Sequence, residues 1–254
     1  MKVLGVVGQL AFAAFVAALA VGLAASFGTR WGWWNYRVGL YAIYPYSLYL
    51  GAVAFLLGLA WVVTALTANR ATGLRYGLTG FVGAIIVLVV PLSYYTRSMD
   101  KPPIHDISTD VEHPPEFEAL VLQRAGATNP PDYDGDRRAT MDGKSYTTRQ
   151  LQKKYYEDIH TVGQLMPPER LYTRALATAH AMGWTIVAED PDDGRIEATD
   201  TSFFFGFVSD IVIRVKPSGM GARLDIRAKS RVGDADGGVN AELVRAYVKR
   251  LVNG

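Results

Sequence analysis

Residues 210–231, DIVIRVKPSGMGARLDIRAKSR, decide the fold of the second half of the chain. Apolar and polar residues alternate on both sides of PSGMG, a sequence typical of a turn. Because successive side chains of a strand point to opposite faces of the sheet, this pattern gives each strand one apolar and one polar face. The stretch therefore predicts a β-hairpin with strands at 210–216 and 222–231.

The hairpin is predicted to extend into a larger sheet. Residues 184–190 and 194–203 alternate in the same way around the turn sequence PDDG. Residues 148–159 are expected to form a short helix, and residues 167–182 and 240–251 have the apolar spacing and the end residues of helices. The sequence thus predicts an α+β domain, in which a four-stranded antiparallel sheet carries two to three helices on one face.

Residues 1–95 have a different composition from the rest of the chain. They contain no acidic residue and only five basic ones. Three apolar stretches, at about 3–27, 47–68 and 78–95, approach or exceed the roughly 20 residues that span a bilayer. Trp and Tyr, which favour the headgroup layer, are concentrated in the connection 28–46. The pattern predicts a membrane domain of three transmembrane helices.

The remaining chain is predicted to consist of two parts. Residues 96–145 are rich in Pro and Asp and are expected to form an extended tether that wraps around the soluble α+β domain at 146–254. Positive charges are equally divided between the two sides of the membrane, but the short basic connection 69–75 is typical of an inner loop. We therefore expect an inner N-terminus and an outer soluble domain. The net charge of +2 gives no indication of nucleic-acid binding.

The polar face of the predicted sheet is the first candidate binding surface. It carries more basic than acidic side chains, and we take four of them as candidate ligand-binding residues: Arg195, Glu197, Arg214 and Arg227. One interpretation is a site for anionic lipid headgroups or another anionic envelope component. The other is a solvated face on which opposite charges pair across the strands.

The connection 230–242 is the second candidate. Its glycines and the start of the last helix are able to hold an anion, framed by Arg231, Asp234 and Asn240. The alternative is a capped connection in which Arg231 pairs with Asp234. Neither interpretation requires catalysis.

Three phenylalanines, Phe203, Phe204 and Phe205, interrupt the alternation where a polar hairpin connection is expected. They either fold over the end of the sheet and cap its core, or remain exposed for a lipid, a ligand or a partner. The candidate metal-binding residues in 104–113 and 132–136 match no metal motif. We predict no metal, no cofactor and no catalytic residue.

The chain also resembles a known family. GRIEATDTSFFFGFVSDIVIRV, RLDIRAKSRVGDADGGVNAELVRAYVKRL and the upstream PPERLYTRALATAHAMGWTIVAE are similar to the family catalogued as domain of unknown function 1499. The likeness covers about residues 101–252. It implies a bacterial envelope protein, which together with the predicted spans suggests a multi-pass inner (plasma) membrane protein with a periplasmic domain. It implies no activity, so no catalytic residue is transferred.

Together these patterns predict a membrane-anchored, non-enzymatic cell-envelope protein that binds an anionic or amphipathic envelope component. Its expected partners are the lipid bilayer, anionic lipid or another membrane protein, but not nucleic acid. One alternative is an envelope hydrolase that uses residues 105–113 or the Arg231–Asp234–Asn240 pocket. The other is an assembly or scaffold role, with Gly77, Gly80 and Gly83 allowing close contact with a partner's helix.

Overall fold

A computed structural model describes residues 2–67 and 73–254 of the chain. It divides into two units, each considered by itself. The first comprises Met1–Arg97 with Phe203–Gly206, and the second comprises Ser98–Ser202 with Phe207–Gly254. Residues 68–72, which include most of the basic connection used in the orientation argument, lie outside the described residues.

The first unit is helical. Its three long helices are α1 (Lys2–Arg30), α2 (Tyr44–Thr67) and α3 (Leu74–Met99). All three are long and apolar enough to cross a membrane, as predicted. α1 and α3 exceed the predicted bounds at both ends, and α2 begins before its predicted start. A π-helical segment, Val38–Ile43, leads directly into α2. The expected connection 28–46 is therefore largely helical, because the helices continue beyond the purely apolar stretches.

Glycines let the three helices approach one another closely. A Cβ on Gly77 would lie 2.2 Å from the Trp61 ring, one on Gly83 2.5 Å from Phe15, and one on Gly80 2.6 Å from the Phe12 backbone. Trp61 of α2 is accordingly buried. The glycine face of α3 thus packs against α1 and α2 of the same chain, which removes the basis for assigning it to a partner's helix.

The second unit contains a six-stranded sheet rather than the predicted four-stranded one. The order β1–β8–β7–β6–β5 is antiparallel throughout, and β4 also pairs with β8. The strands are β1 (Asp106–Ser108), β4 (Val162–Gln164), β5 (Thr185–Asp190), β6 (Arg195–Thr201), β7 (Val208–Ser218) and β8 (Gly221–Ser230). The prediction missed β1 and β4 because three residues are too few to show alternation.

Helices cover the apolar face of this sheet. They are α5 (Thr148–Tyr155), α6 (Pro168–Ala181) and α7 (Val239–Asn253). The core contains the inward side chains of the strands, such as Ile211 and Ile213, together with Leu171 of α6 and Tyr247 of α7. The Tyr247 ring stacks on Trp184, with ring centroids 5.1 Å apart. This side of the domain follows the predicted pattern.

The opposite face of the sheet is also covered. Residues 109–137, named here the covering segment, lie within the predicted tether and include the short helix α4 (Ala119–Gln123). Leu120 of α4 and Phe117 pack against Val212 of β7. A separate hairpin follows, formed by β2 (Arg138–Met141) and β3 (Lys144–Thr147). The sheet is therefore largely an internal layer, and most of its polar face is not open to water.

Candidate functional site

The register of the strands places charged side chains on the face opposite α6 and α7. Arg195 lies opposite Arg214, Arg214 opposite Asp225, and Asp106 opposite Lys229. We call the side chains of this side the charged face. The sequence predicted correctly that the arginines, Lys229, Glu197 and Asp225 lie on this face, but not Asp106 or Asp210. It also predicted a solvent-exposed surface, whereas the covering segment buries most of it.

Arg227 lies at the centre of the charged face and is 1% exposed. Its guanidinium donates to both carboxylate oxygens of Asp106, at 2.8 and 2.9 Å. It also donates to the carbonyl oxygens of Pro131 and Asp132, each at 2.9 Å. Phe117 lies against the same guanidinium. Arg227 therefore fastens the covering segment to the sheet and is not available to an external anion.

Lys229 is the second buried cation of the charged face. Its Nζ lies 2.6 Å from the carbonyl oxygen of Asp132, 3.1 Å from Asp134 Oδ1 and 3.3 Å from Asp106 Oδ2. Burial lowers the pKa of Lys229, and the charges of the two carboxylates oppose that shift. The positive charge of Lys229 is therefore balanced by two carboxylates, Asp106 of β1 and Asp134 of the covering segment.

Asp134 connects Lys229 to a buried histidine. Its Oδ2 lies 2.8 Å from His105 Nε2. Burial favours the neutral acid, but the hydrogen bonds and charges of His105 and Lys229 outweigh burial and lower the pKa of Asp134 to about 2. Asp134 is therefore ionised at neutral pH, and it holds the covering segment through charge.

Asp210 forms a second buried cluster at the start of β7. Arg231 donates to both of its carboxylate oxygens, and Arg124 from just beyond α4 lies 2.5 Å from Oδ2. Arg124 and Asp210 are both buried. This contact directs Arg231 to Asp210, so the expected Arg231–Asp234 pair does not form.

Glu197 binds the start of α4 from beneath the covering segment. Its carboxylate accepts hydrogen bonds from the backbone N–H groups of Glu118, Ala119 and Leu120, at 2.8–3.0 Å. These are orphan donors at the start of α4, where a negative charge is favourable. Arg195 pairs with Glu118 in turn. Two of the predicted ligand-binding residues thus hold α4 in place.

Asp225 holds the other end of the charged face. It lies 3.0 Å from Arg214 Nη2 and accepts a hydrogen bond from Thr161, at 2.5 Å. Arg214 also donates to the carbonyl oxygen of His113. Pairing of Asp225 with a neighbouring arginine was one of the two interpretations of this face, and the structure shows that pairing.

The anion pocket predicted in the connection 230–242 is not formed. Asp236 fills the start of α7 by accepting from the N–H groups of Gly238 and Asn240. Burial raises the pKa of Asp236, and these backbone hydrogen bonds oppose the shift. The Asn240 amide donates to the His105 carbonyl, whereas the Asp234 side chain is exposed. The three predicted residues therefore do not converge.

The acidic and histidine residues of 104–113 also serve separate roles. His105 and Asp106 join the buried network, Asp110 accepts from the N–H of His113, and Glu112 pairs with Arg149 and Lys153. Within residues 2–67 and 73–254, no three His, Asp or Glu side chains gather as metal ligands. The cluster thus offers no common point for the hydrolase alternative.

A shallow depression of about 350 Å³ lies beside α5. Two of its lining residues, Thr109 and Gln152, are already engaged: Thr109 Oγ1 accepts from the N–H of Ile226, and the Gln152 amide bonds Ser108. Lys153, Tyr156 and His160 also line it. These groups do not form a nucleophile, a base and an orienting acid in hydrogen-bonded sequence.

The phenylalanines differ from the charged face in being open to solvent. Phe203 and Phe204 are 69% and 55% exposed, so they do not cap the core of the sheet. Phe203–Gly206, named here the phenylalanine tip, belongs to the helical unit. Phe203 and Phe204 contact Phe27 of α1 edge-on, and Phe205 contacts Tyr44 of α2. Phe203 and Phe204 thus remain exposed, as the second interpretation expected, and they also join an aromatic group.

Arg30 adds a positive charge to that aromatic group. It donates to the Phe203 carbonyl at 3.0 Å, and its guanidinium carbon lies 6.0 Å from the Phe203 ring centroid. Trp31 and Trp33, at the same end of α1, are largely exposed. This end of the helical unit therefore combines exposed aromatic rings with a positive charge.

Sequence reasoning missed several residues that organise the second unit: Asp106, Asp134, Asp210 and Arg124. Only Asp106 and Asp210 left a usable signal, since each stands beside an apolar strand residue at a position facing Lys229. Asp134 and Arg124 lie in irregular chain, where no period reveals the direction of a side chain.

The family model described as Protein of unknown function (DUF1499) matches residues 106–251. The match covers more than half of the chain and includes the charged face, the covering segment, α5, α6 and most of α7. No curated protein matches the chain.

Proposed function

The chain belongs to the DUF1499 family, and we propose that it is a multi-pass protein of the bacterial inner membrane with a non-enzymatic periplasmic domain. Its role is to bind an anionic or amphipathic component of the cell envelope. The binding site is the aromatic and cationic end of the helical unit, formed by the phenylalanine tip with Phe27, Arg30 and Trp31.

The observation that carries this proposal is the exposure of Phe203 and Phe204 beside Arg30. Burying one aromatic side chain is worth about 2–3 kcal/mol, so two exposed rings favour a partner that covers them. A guanidinium beside apolar rings favours a ligand with an acyl chain and an anionic headgroup. This chemistry is that of an anionic lipid or a related envelope amphiphile.

The charged face supports a binding role over an enzymatic one. Its carboxylates accept hydrogen bonds from arginine, lysine or backbone N–H groups that hold the covering segment. A general acid or base needs access to a substrate, and these groups are buried. The placement of the domain on the outer side rests on the short basic connection 69–75, which is typical of an inner loop.

The test is mass spectrometry of what copurifies with the full-length protein from native membrane in mild detergent. We expect an anionic or amphipathic molecule to be retained by the natural protein. Its amount should fall several-fold in the combined variant Arg30→Ala, Phe203→Ala, Phe204→Ala. The control is Met220→Ala, an exposed apolar side chain in the second unit.

Two results would contradict the proposal. One is that no such molecule accompanies the natural protein. The other is that the triple variant and the Met220→Ala control retain the same molecules in the same amounts, because the proposed site would then play no part in retention.

A further inference from the structure

The phenylalanine tip is a closed, projecting turn. The N–H of Ser202 donates to the Phe207 carbonyl, and the N–H of Phe207 donates to Ser202 Oγ, both at 2.8 Å. These two bonds close the connection and leave Phe203–Gly206 beyond them. Gly206 has a φ of 67°, a conformation that favours glycine. The tip therefore presents its rings from a defined backbone rather than from a loose loop.

Two of the rings, those of Phe203 and Phe204, contact the last turn of α1. The centroids of Phe203 and Phe204 are 5.7 and 6.3 Å from that of Phe27, and 5.2 Å from each other. The Phe27 ring in turn lies 5.4 Å from Trp31. The tip is thus level with the end of this helix.

That end of α1 has the features of a membrane interface. The apolar span runs over Leu4–Arg30, 27 residues. At 1.5 Å per residue such a helix is about 40 Å long, which exceeds the hydrocarbon core of about 30 Å and leaves a terminal turn in the headgroup layer. Exposed Trp31 and Trp33 and the charge of Arg30 mark this end as that turn.

We infer that Phe203 and Phe204 insert into the headgroup layer of the bilayer, so that the β6–β7 connection is a membrane-inserted part of a domain otherwise built for water. This inference rests on the proposed membrane placement, and it specifies a phospholipid surface as the partner of the tip. The occupant follows from continuity, because the rings extend the aromatic surface at the end of a span. Phe205 instead packs against Tyr44 within the protein.

The absence of cysteine from the chain allows a direct depth measurement. Phe204→Cys and, separately, Phe203→Cys are labelled with a nitroxide in the full-length protein, reconstituted into vesicles of neutral phosphatidylcholine. The relative accessibility of the label to oxygen and to a water-soluble nickel chelate then reports its depth.

Two further positions calibrate the scale. Met220→Cys is the aqueous control, since Met220 is 96% exposed at the opposite end of β7. Leu56→Cys, exposed midway along α2, marks the hydrocarbon core. Labels at 203 and 204 are expected between these two references, with an oxygen-to-nickel accessibility ratio several-fold above that of the Met220 position.

The inference is overturned if both tip labels give the aqueous value of Met220→Cys. It is equally overturned if both are shielded from oxygen and nickel alike, since a protein surface would then cover the tip. The vesicles contain no anionic lipid, so a deep label without a copurifying ligand refutes only the proposed function. A retained ligand with a label in water refutes only this inference.

Discussion

A single carboxylate shows why the charged face is internal. Asp106 accepts from Arg227 with both oxygens and lies 3.3 Å from Lys229 Nζ. All three side chains are buried. Buried charges are tolerated only when they are paired and hydrogen-bonded, so each of these residues depends on the others. The same pattern recurs where Asp210 meets Arg124 and Arg231.

We predict that Asp106→Asn lowers the free energy of unfolding of the sheet domain by about 3–5 kcal/mol, because it leaves two buried cations undercompensated. Urea denaturation of the full-length protein in detergent, followed by circular dichroism, measures this change. The matched control is Asp192→Asn, an exposed acid in a turn, with an expected change within about 0.5 kcal/mol. Equal effects of the two variants would contradict the role of Asp106.

Asp134 predicts the acid behaviour of the domain. Its pKa is lowered to about 2 in the folded protein, below the ordinary aspartate value of about 3.9 in the unfolded chain. The unfolded chain therefore binds the proton first, and the stabilisation is present above about pH 4 and is lost as the pH falls towards 2. When the stability of the domain is measured as the pH is lowered, the Asp134→Asn variant should lack this part of the pH dependence. An unchanged acid transition would exclude the ionised contact.

At the scale of elements, the apolar helices and the sheet pack against their neighbours in different ways. Small residues bring α1, α2 and α3 together, with Trp61 seated against Gly8 and Gly77. The sheet instead uses a layer on each face, apolar on one and ionic on the other. In both cases the contacts lie within the chain, and the assembly alternative thereby loses its proposed surface on α3.

We predict that Gly77→Ala destabilises the helical unit, because its methyl group would lie 2.2 Å from the Trp61 ring. Thermal unfolding in detergent, followed by tryptophan fluorescence, should occur at a lower temperature than in the natural protein. Gly5→Ala is the matched control, since a Cβ there meets no atom within 4 Å. A helix interior favours Ala over Gly by up to about 1 kcal/mol, so the control should be neutral or stabilising. If Gly77→Ala unfolds at the same temperature as the natural protein, the proposed close packing of Gly77 against Trp61 is wrong.

The whole molecule combines an apolar helical unit with a charged domain that neutralises its own buried side chains. The number of basic residues in the domain therefore does not indicate how much positive charge its surface carries, because several of them are buried and paired with acids. An apolar and aromatic end of the helical unit, rather than a cationic sheet, remains as the candidate contact with the envelope. The proposed periplasmic placement is testable at this scale.

We predict that Met220→Cys reacts with a membrane-impermeant maleimide in cells whose outer membrane alone is permeabilised. The reason is that the proposed topology places this exposed turn in the periplasm. The natural, cysteine-free chain is the blank, and a permeant maleimide gives the maximum labelling. Labelling that requires lysis of the inner membrane would reverse the topology.

The sequence by itself determined the elements with strong local patterns. Apolar length gave the three candidate spans, and alternation gave four strands and the face to which each of their side chains belongs. It predicted most residues of the charged face, though not Asp106 or Asp210, because a period of two depends only on neighbouring residues. The three-residue strands β1 and β4 are too short to carry such a pattern.

Only the tertiary structure decided what covers each face. Arg227 meets Asp106 from 121 positions away, and Glu197 caps a helix that begins 78 positions earlier. Such pairs form when an irregular segment folds back over a sheet. The position of that segment cannot be predicted from the periodicity of neighbouring residues. The same holds for Phe203, which contacts Phe27 rather than the core of its own hairpin. Local patterns fix the direction of a side chain, whereas its partner is fixed by how distant segments pack together.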